Sequence, residues 1–223
     1  MRYAKTVEGV FLDRPNRFIA HVELDGATET VHVKNTGRCR ELLVPGRRVI
    51  LAVSDNPARR TKYDLIAVEK PGLGLVNIDS QAPNHVVREW LDRQSPDLLK
   101  PEYTFGDSRL DFYLEKDGKQ ILIEVKGCTL ELDGIGYFPD APTQRGTKHL
   151  AELTDAAGRG YTCFAVFVIQ MPGVTEVRPN TATDPAFAAA WKAAENAGVR
   201  MVFLPCAVTE DTLIPAANAP QIL

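Results

Sequence analysis

Three residues of this 223-residue chain stand at a spacing that suits metal-assisted chemistry on phosphate: Asp111, then Glu124 and Lys126 after twelve intervening residues. Side chains alternate faces in an extended strand. Along 109–115, Leu110, Phe112 and Leu114 are therefore expected on one face, with Arg109, Asp111 and Tyr113 on the other. Along 120–126 the same rule sets Ile121, Ile123 and Val125 opposite Leu122, Glu124 and Lys126. The turn Lys116-Asp117-Gly118-Lys119 would join the two runs as a hairpin and lay Asp111 beside Glu124 and Lys126. Two carboxylates so placed repel each other unless a cation lies between them, and hard oxygen donors select Mg²⁺ or Mn²⁺ over zinc. The Val125 carbonyl is a candidate further ligand, and Lys126 is placed to orient a water or balance charge on phosphorus. A cross-strand salt bridge on an exposed sheet, worth under about 1 kcal/mol, would use the same residues. Against that reading, the run Ile121-Leu122-Ile123 carries the charged pair to the end of a buried strand, where unserved charge is costly.

The elements that must position these residues fall into two halves. Strand-like runs at 7–12, 17–24, 29–34, 47–53, 62–69 and 73–78, with Asp25-Gly26 as a hairpin turn, make residues 1–80 all-β. Such short, evenly spaced strands favour a small barrel, of which the five-stranded oligonucleotide-binding barrel is one candidate. From residue 81 to 223 the texture changes. Val86, Val87, Trp90 and Leu91 recur at helical spacing behind Pro83, and three strand-like runs follow at 102–105, 109–115 and 120–126. A helix is expected from Thr143 as N-cap to Gly158, with Leu150, Leu153 and Ala157 inward. A buried strand is expected at 161–169, a further helix between Asp184-Pro185 and Gly198, and a last strand at 199–204.

Composition narrows the function classes. The net charge of −3 argues against a protein that coats DNA by its overall charge. Eight basic residues face two acidic ones between Lys34 and Lys62, however, a local net of +6 that suits either a phosphate-binding surface or a solvated basic face. The longest apolar stretch, 162–171, falls short of the roughly 20 residues that cross a bilayer. Residues 1–20 carry charges in place of an apolar signal core, so a cytoplasmic protein without a membrane partner is expected. Cys39, Cys128, Cys163 and Cys206 lack the spacing of a zinc site or a disulfide scaffold and are expected to be reduced. His21, His32 and His85 are too scattered for a metal site, and Gly72-Leu73-Gly74 is a hairpin element with no strand-to-helix unit around it.

Asp111 and Glu124-Val125-Lys126, set in the order helix, three strands, helix, strand, resemble the PD-(D/E)xK nuclease superfamily. That resemblance implies metal binding by Asp111 and Glu124, assistance to the water by Lys126, and an added glutamate ligand, Glu102 or else Glu89. The proline that usually precedes the aspartate is here Leu110.

Nearly the whole chain is similar to the bacterial sugar fermentation stimulation protein A family. The matching stretches are Arg17-Phe18-Ile19-Ala20, His32 to Arg38, Glu41-Leu42-Leu43 with Pro45-Gly46, Ser108 to Phe112, Ile123 to Lys126, and Gly136 to Ala141 through Arg145-Gly146 to Lys148-His149-Leu150. This resemblance implies an oligonucleotide-binding (OB-like) barrel joined to a nuclease-like αβββαβ domain, with DNA binding and a regulatory role in sugar (maltose) metabolism.

On that footing Lys34, Asn35, Arg38, Arg40, Arg145 and Lys148 are the candidate nucleic-acid contacts. Asn35-Thr36-Gly37-Arg38 reads as a turn in which Gly37 takes φ > 0 and exposed N–H groups meet phosphate. Arg145, Lys148 and His149 at a helix start oppose its dipole unless an anion is near, although His149 can instead pack inward. Three functions compete: a Mg²⁺-dependent nuclease, a DNA-binding regulator that does not cut, and a sugar-responsive binding protein. No aromatic and acidic cluster supports the third.

Overall fold

The computed structural model describes residues 1–223 apart from Thr36 and Asp107. Its first half is β1 (Thr6–Asn16), β2 (Ile19–Leu24), β3 (Ala27–Val33), β4 (Arg48–Val53), β5 (Tyr63–Lys70) and β6 (Gly74–Asn77). Alternation drives these strands: in β2, Ala20 and Val22 are buried while His21 and Glu23 turn outward. Asp25 and Gly26, at φ 53° and 80°, supply the tight turn into β3 that the sequence asks for. The strands are ordered β3-β2-β1-β4-β5-β6, and β3 also pairs parallel with β5, through His32 opposite Asp64 and Val33 opposite Leu65. That extra pairing closes β1 to β5 into a five-stranded, OB-like barrel, which β6 extends from its β5 side.

The second half is an α+β domain. It begins with α1 (Ala82–Asp92), β7 (Leu98–Phe105), β8 (Ser108–Lys116), β9 (Lys119–Cys128), β10 (Leu130–Leu132) and β11 (Ile135–Phe138). Then come α2 (Gln144–Gly158), β12 (Thr162–Ile169), β13 (Val177–Pro179), α3 (Pro185–Asn196), β14 (Arg200–Val208) and β15 (Leu213–Pro215). The sheet runs β15-β14-β12-β9-β8-β7, with β12 parallel to both β9 and β14. Helix α1 packs Val86, Val87 and Leu91 with Phe112, Ile121 and Ile123 on one face, and α2 and α3 pack Leu150, Leu153 and Phe187 with Leu122 and Phe167 on the other. A sheet covered on both faces explains the unbroken apolar sequence of β12. Thr143 caps α2 by accepting from the Gly146 N–H at 3.0 Å, and Asp184 caps α3 by accepting from the Phe187 N–H at 2.9 Å.

The structure departs from the sequence-based expectation in three places. Leu110 packs in the cluster beneath α2, whereas Phe112 and Leu114 pack beneath α1, so the expected alternation breaks at Asp111. Residues 130–138 form a hairpin that pairs through β11 with β13, in a stretch whose Gly-rich sequence shows no periodicity. The last long strand runs on to Val208, and β15 pairs with it antiparallel. The two halves share one core, in which Val22 and Leu65 of the barrel belong with Leu122 and Phe167. Gln170 fastens them further, since its buried amide donates to the Asn77 and Asp79 carbonyls and to the Asn77 side chain.

Candidate active site

Strands β8 and β9 pair only as far as Phe112 opposite Ile123. Beyond that point the Asp111 side chain enters the gap between them. Its Oδ2 accepts from the Val125 N–H at 2.7 Å, and its Oδ1 accepts from the Asn84 amide of α1 at 2.7 Å. A carboxylate has taken over a backbone partner, which fixes Asp111 against β9 without a ladder bond. Glu124 is 2% exposed. Its Oε1 accepts from Lys126 Nζ at 2.5 Å and from His149 Nδ1, while Oε2 is buried and has no hydrogen-bond partner. His149 is itself buried, on α2, and its Nε2 accepts from Arg145 Nε at 3.4 Å. An acceptor at Nε2 assigns the ring proton to Nδ1, where it is donated to Glu124.

The two carboxyl groups respond to this setting in opposite directions. Burial, and then the negative charge of Glu124, push the Asp111 carboxyl above its ordinary value despite the Val125 and Asn84 donors. Burial also pushes Glu124 upward, but Lys126 and His149 outweigh it and hold Glu124 below its ordinary value. The result is a pair of carboxyl groups, Glu124 buried and Asp111 half-buried, with one oxygen that meets no donor among the described residues. Such a site fits a hard divalent cation. Among the described residues no three His, Cys, Asp or Glu side chains converge on one point. The side-chain donors the chain offers there are two carboxylates, a set that would suit a magnesium-like ion, which keeps several waters, better than zinc.

Asp111, Glu124, Val125 and Lys126 line a cavity of about 710 Å³ that also reaches Asn35 and Gly37 of the barrel, so it lies where the two halves meet. Other expected site residues are placed differently. Glu102 is exposed on β7, 3.5 Å from Arg109, and Glu89 holds the Met1 amino group at 2.6 Å; neither lines the cavity. Lys34 pairs with Asp64 at 3.1 Å and Asp79 at 3.7 Å and does not line the cavity. Asn35 lines the cavity, but its side chain is used internally, donating to the Ile78 carbonyl at 2.9 Å and accepting from the Gly37 N–H at 2.7 Å. Arg145 lines the cavity; Lys148 does not, and lies 3.7 Å from Glu152. Arg38 and Arg40 line a neighbouring depression.

The turn at 35–38 also differs in detail. Thr36 lies outside the described residues, and what Gly37 supplies is its missing Cβ, because a side chain there would run into Asp140 and Asn35. The +6 run is partly spent within the protein, since Arg48 pairs with Glu8 and Glu210 and Arg59 with Asp64.

Among the other residues lining the cavity are Asn84, Asp140 and Gln170, to which the sequence assigns no role, and His85, which it sets aside as a metal ligand. Asn84 sits one residue after Pro83 in the first turn of a helix, a signal that places it near the strand ends but not against Asp111. His149 takes the inward-packed alternative: it is buried, does not line the cavity, and meets Glu124 from within.

An OB-like barrel fused to a two-faced α+β sheet, with a carboxylate–lysine site at the junction, defines a two-domain architecture of one kind. The SfsA N-terminal OB domain model matches residues 12–78, and the Sugar fermentation stimulation protein RE domain model matches residues 81–212. The Sugar fermentation stimulation protein homolog of Desulfitobacterium hafniense (strain DSM 10664 / DCB-2) is 53% identical over 216 residues, covering 96% of this chain and 94% of that protein. That of Clostridium beijerinckii is 49% identical, covering 96% of each. The structure of Pyrococcus furiosus SfsA in complex with Ca²⁺ superposes with a TM-score of 0.85 at 28% identity, covering 96% of this chain and 95% of that one. The chain belongs to the sugar fermentation stimulation protein family. No described helix is long and apolar enough to cross a membrane.

Proposed function

We propose that the protein binds nucleic acid, DNA first, and hydrolyses phosphodiester bonds with Mg²⁺ or Mn²⁺ at Asp111, Glu124 and Lys126. The observation that carries this reading is the buried Glu124 Oε2, without a partner among the described residues, in a cavity that Asp111 and Lys126 also line and that the barrel and the α+β domain share. Asp111, Glu124 and the Val125 carbonyl would hold the ion. Bound there, it would supply Lewis acidity toward a phosphate oxygen and make water more acidic. The P. furiosus relative is in complex with Ca²⁺, which supports a divalent ion for this chain as well.

The chain's own residues do the rest. Val125 N–H and Asn84 hold the Asp111 carboxylate, and His149 and Lys126 hold one oxygen of Glu124 so that the other stays directed to the ion. The Lys126 ammonium, on the same strand face, offsets charge gathering on the phosphoryl oxygens and orients the attacking water. Arg145, exposed at the rim, meets the backbone of the bound strand. Four free, buried cysteines, each with its thiol pushed up to about 12 by burial, suit a reducing cytoplasm.

The test is incubation with single-stranded, duplex and branched DNA and RNA in Mg²⁺ or Mn²⁺, comparing wild type with Asp111→Ala and Lys126→Ala. Cleavage by wild type that falls by roughly 10²- to 10³-fold in both variants supports the enzyme. Binding without cleavage by wild type, retained in both variants, sinks it. That outcome favours a second reading, a non-cleaving DNA-binding regulator of sugar (maltose) metabolism genes; the name of the family speaks of sugar fermentation.

A further inference from the structure

The turn between β1 and β2 exposes an aromatic ring beside unpaired cations. Phe18 is 51% exposed. A single exposed apolar residue is ordinary, but this one is held firmly. Asn16 Oδ1 accepts from the Phe18 N–H at 2.9 Å and the Ile19 N–H at 3.0 Å, and the Phe18 carbonyl accepts from the Val33 N–H at 2.8 Å. Phe18 opens onto a small depression of about 200 Å³ that shares Gln81 with the central cavity. On the other side, Arg17, Arg38 and Arg40 line a depression of about 480 Å³ that shares Gly37 with the same cavity and has no carboxylate in its lining. Among the described residues none of these three arginines forms an ion pair, unlike Lys34, Arg48 and Arg59 nearby. Arg14 fixes the arrangement from below: its guanidinium donates to the carbonyls of Arg17, Asn35, Gly37 and Arg38 at 2.7 to 3.0 Å, which ties the turn to the 35–38 loop.

We infer that this chain takes hold of an unpaired polynucleotide strand, stacking a base on Phe18 and running its phosphates along Arg17, Arg38 and Arg40 toward Asp111. This rests on the phosphodiesterase reading and adds the strandedness of its substrate. In a duplex each base is stacked on both faces and cannot reach a protein ring without leaving its neighbours. In a single strand it can, and every base offers a face, so the contact needs no particular sequence.

Fluorescence anisotropy in EDTA, where no cleavage competes, tests it. The probes are labelled strands of roughly 15 nucleotides as DNA and as RNA, the corresponding duplexes, and an abasic strand of the same length; whichever sugar binds more tightly names the source. Wild type should bind single strands at least about tenfold more tightly than duplex. Phe18→Ala should weaken that binding by roughly five- to hundredfold with an unchanged melting temperature, and Phe18→Trp should restore it. The abasic strand should be bound equally by wild type and Phe18→Ala. Replacing Arg17, Arg38 and Arg40 together by Ala should flatten the plot of log affinity against log salt by about two units. If Phe18→Ala binds single strands as wild type does, or duplex is preferred, this inference falls and the phosphodiesterase reading stands. If wild type binds none of the probes in EDTA, this inference falls, and the phosphodiesterase reading falls only if cleavage in Mg²⁺ or Mn²⁺ fails as well.

Discussion

Two buried carboxylate sites in this molecule have been resolved in opposite ways. In the barrel, Asp64 is 4% exposed and meets Arg59 at 2.6 and 2.9 Å, His32 at 3.0 Å and Lys34 at 3.1 Å. Burial alone would raise this carboxyl, but the donors outweigh it and hold it at about 2. At the junction, Glu124 is buried as deeply, yet one of its oxygens meets no donor, and Asp111 beside it is pushed up by burial and by Glu124. The barrel site is saturated with protein cations and serves the fold. The junction site is left with a carboxylate oxygen that meets no donor among the described residues, and the metal reading rests on that oxygen.

The contrast can be attacked first through stability. Asp64→Ala should cost about 3 kcal/mol in urea unfolding, the low end for a broken buried pair, because it takes the shared acceptor from Arg59 and His32 and leaves Lys34 with Asp79 alone. Asp111→Asn removes a repelled charge and should leave stability unchanged or improve it. A clear loss in Asp111→Asn would erase the distinction between the two sites.

Divalent ions probe the junction from the other side. Ca²⁺ or Mn²⁺ at about one hundred times its Kd should add about 2.7 kcal/mol, or roughly 5–10 °C in a chain of this size by scanning calorimetry. Glu124→Gln should abolish the shift. His149→Gln keeps a donor to Glu124 and should retain it, whereas His149→Leu should weaken the ion by roughly tenfold or more. A full shift in Glu124→Gln would put the ion elsewhere.

The smallest effect is on acid stability. The folded Asp64 carboxyl lies below its unfolded value of 3.8, at about 2, so between those limits the unfolded chain holds the extra proton and stability rises with pH. The contribution is fully present above pH 3.8 and lost as pH falls through 2. Asp64→Asn should flatten this part of an acid titration followed by circular dichroism; an unchanged slope would deny Asp64 its role.

The strands of the barrel were legible because alternation and the Asp25-Gly26 turn are local signals, and the caps Thr143 and Asp184 are local too. The hairpin register that sets position 111 level with 124 was legible from one turn, but the break in alternation that turns Asp111 to the Val125 N–H was not, because it lies beyond the last paired residues of the two strands. What escaped depends on tertiary geometry. Nothing in the spacing of Lys34 says that Asp64 and Asp79 will claim it, and a basic run in sequence says nothing of the carboxylates at Glu8 and Glu210 that fold onto Arg48. Glu102 sits across from the Asp111 region along the sheet, but on an edge strand that turns it to solvent beside Arg109. Phe18 stood within a matching stretch, yet a pattern of residues does not reveal which apolar side chain is left uncovered.

The hydrogen bonds of Gln170 carry a consequence for how such a protein can change over generations. A barrel exchanged for a foreign one would strip partners from the amide of Gln170 and open the core that Leu65 and Phe167 share. The barrel and the α+β domain are therefore heritable only as one piece, and change at their junction has to come by altering side chains along the seam instead of by trading modules.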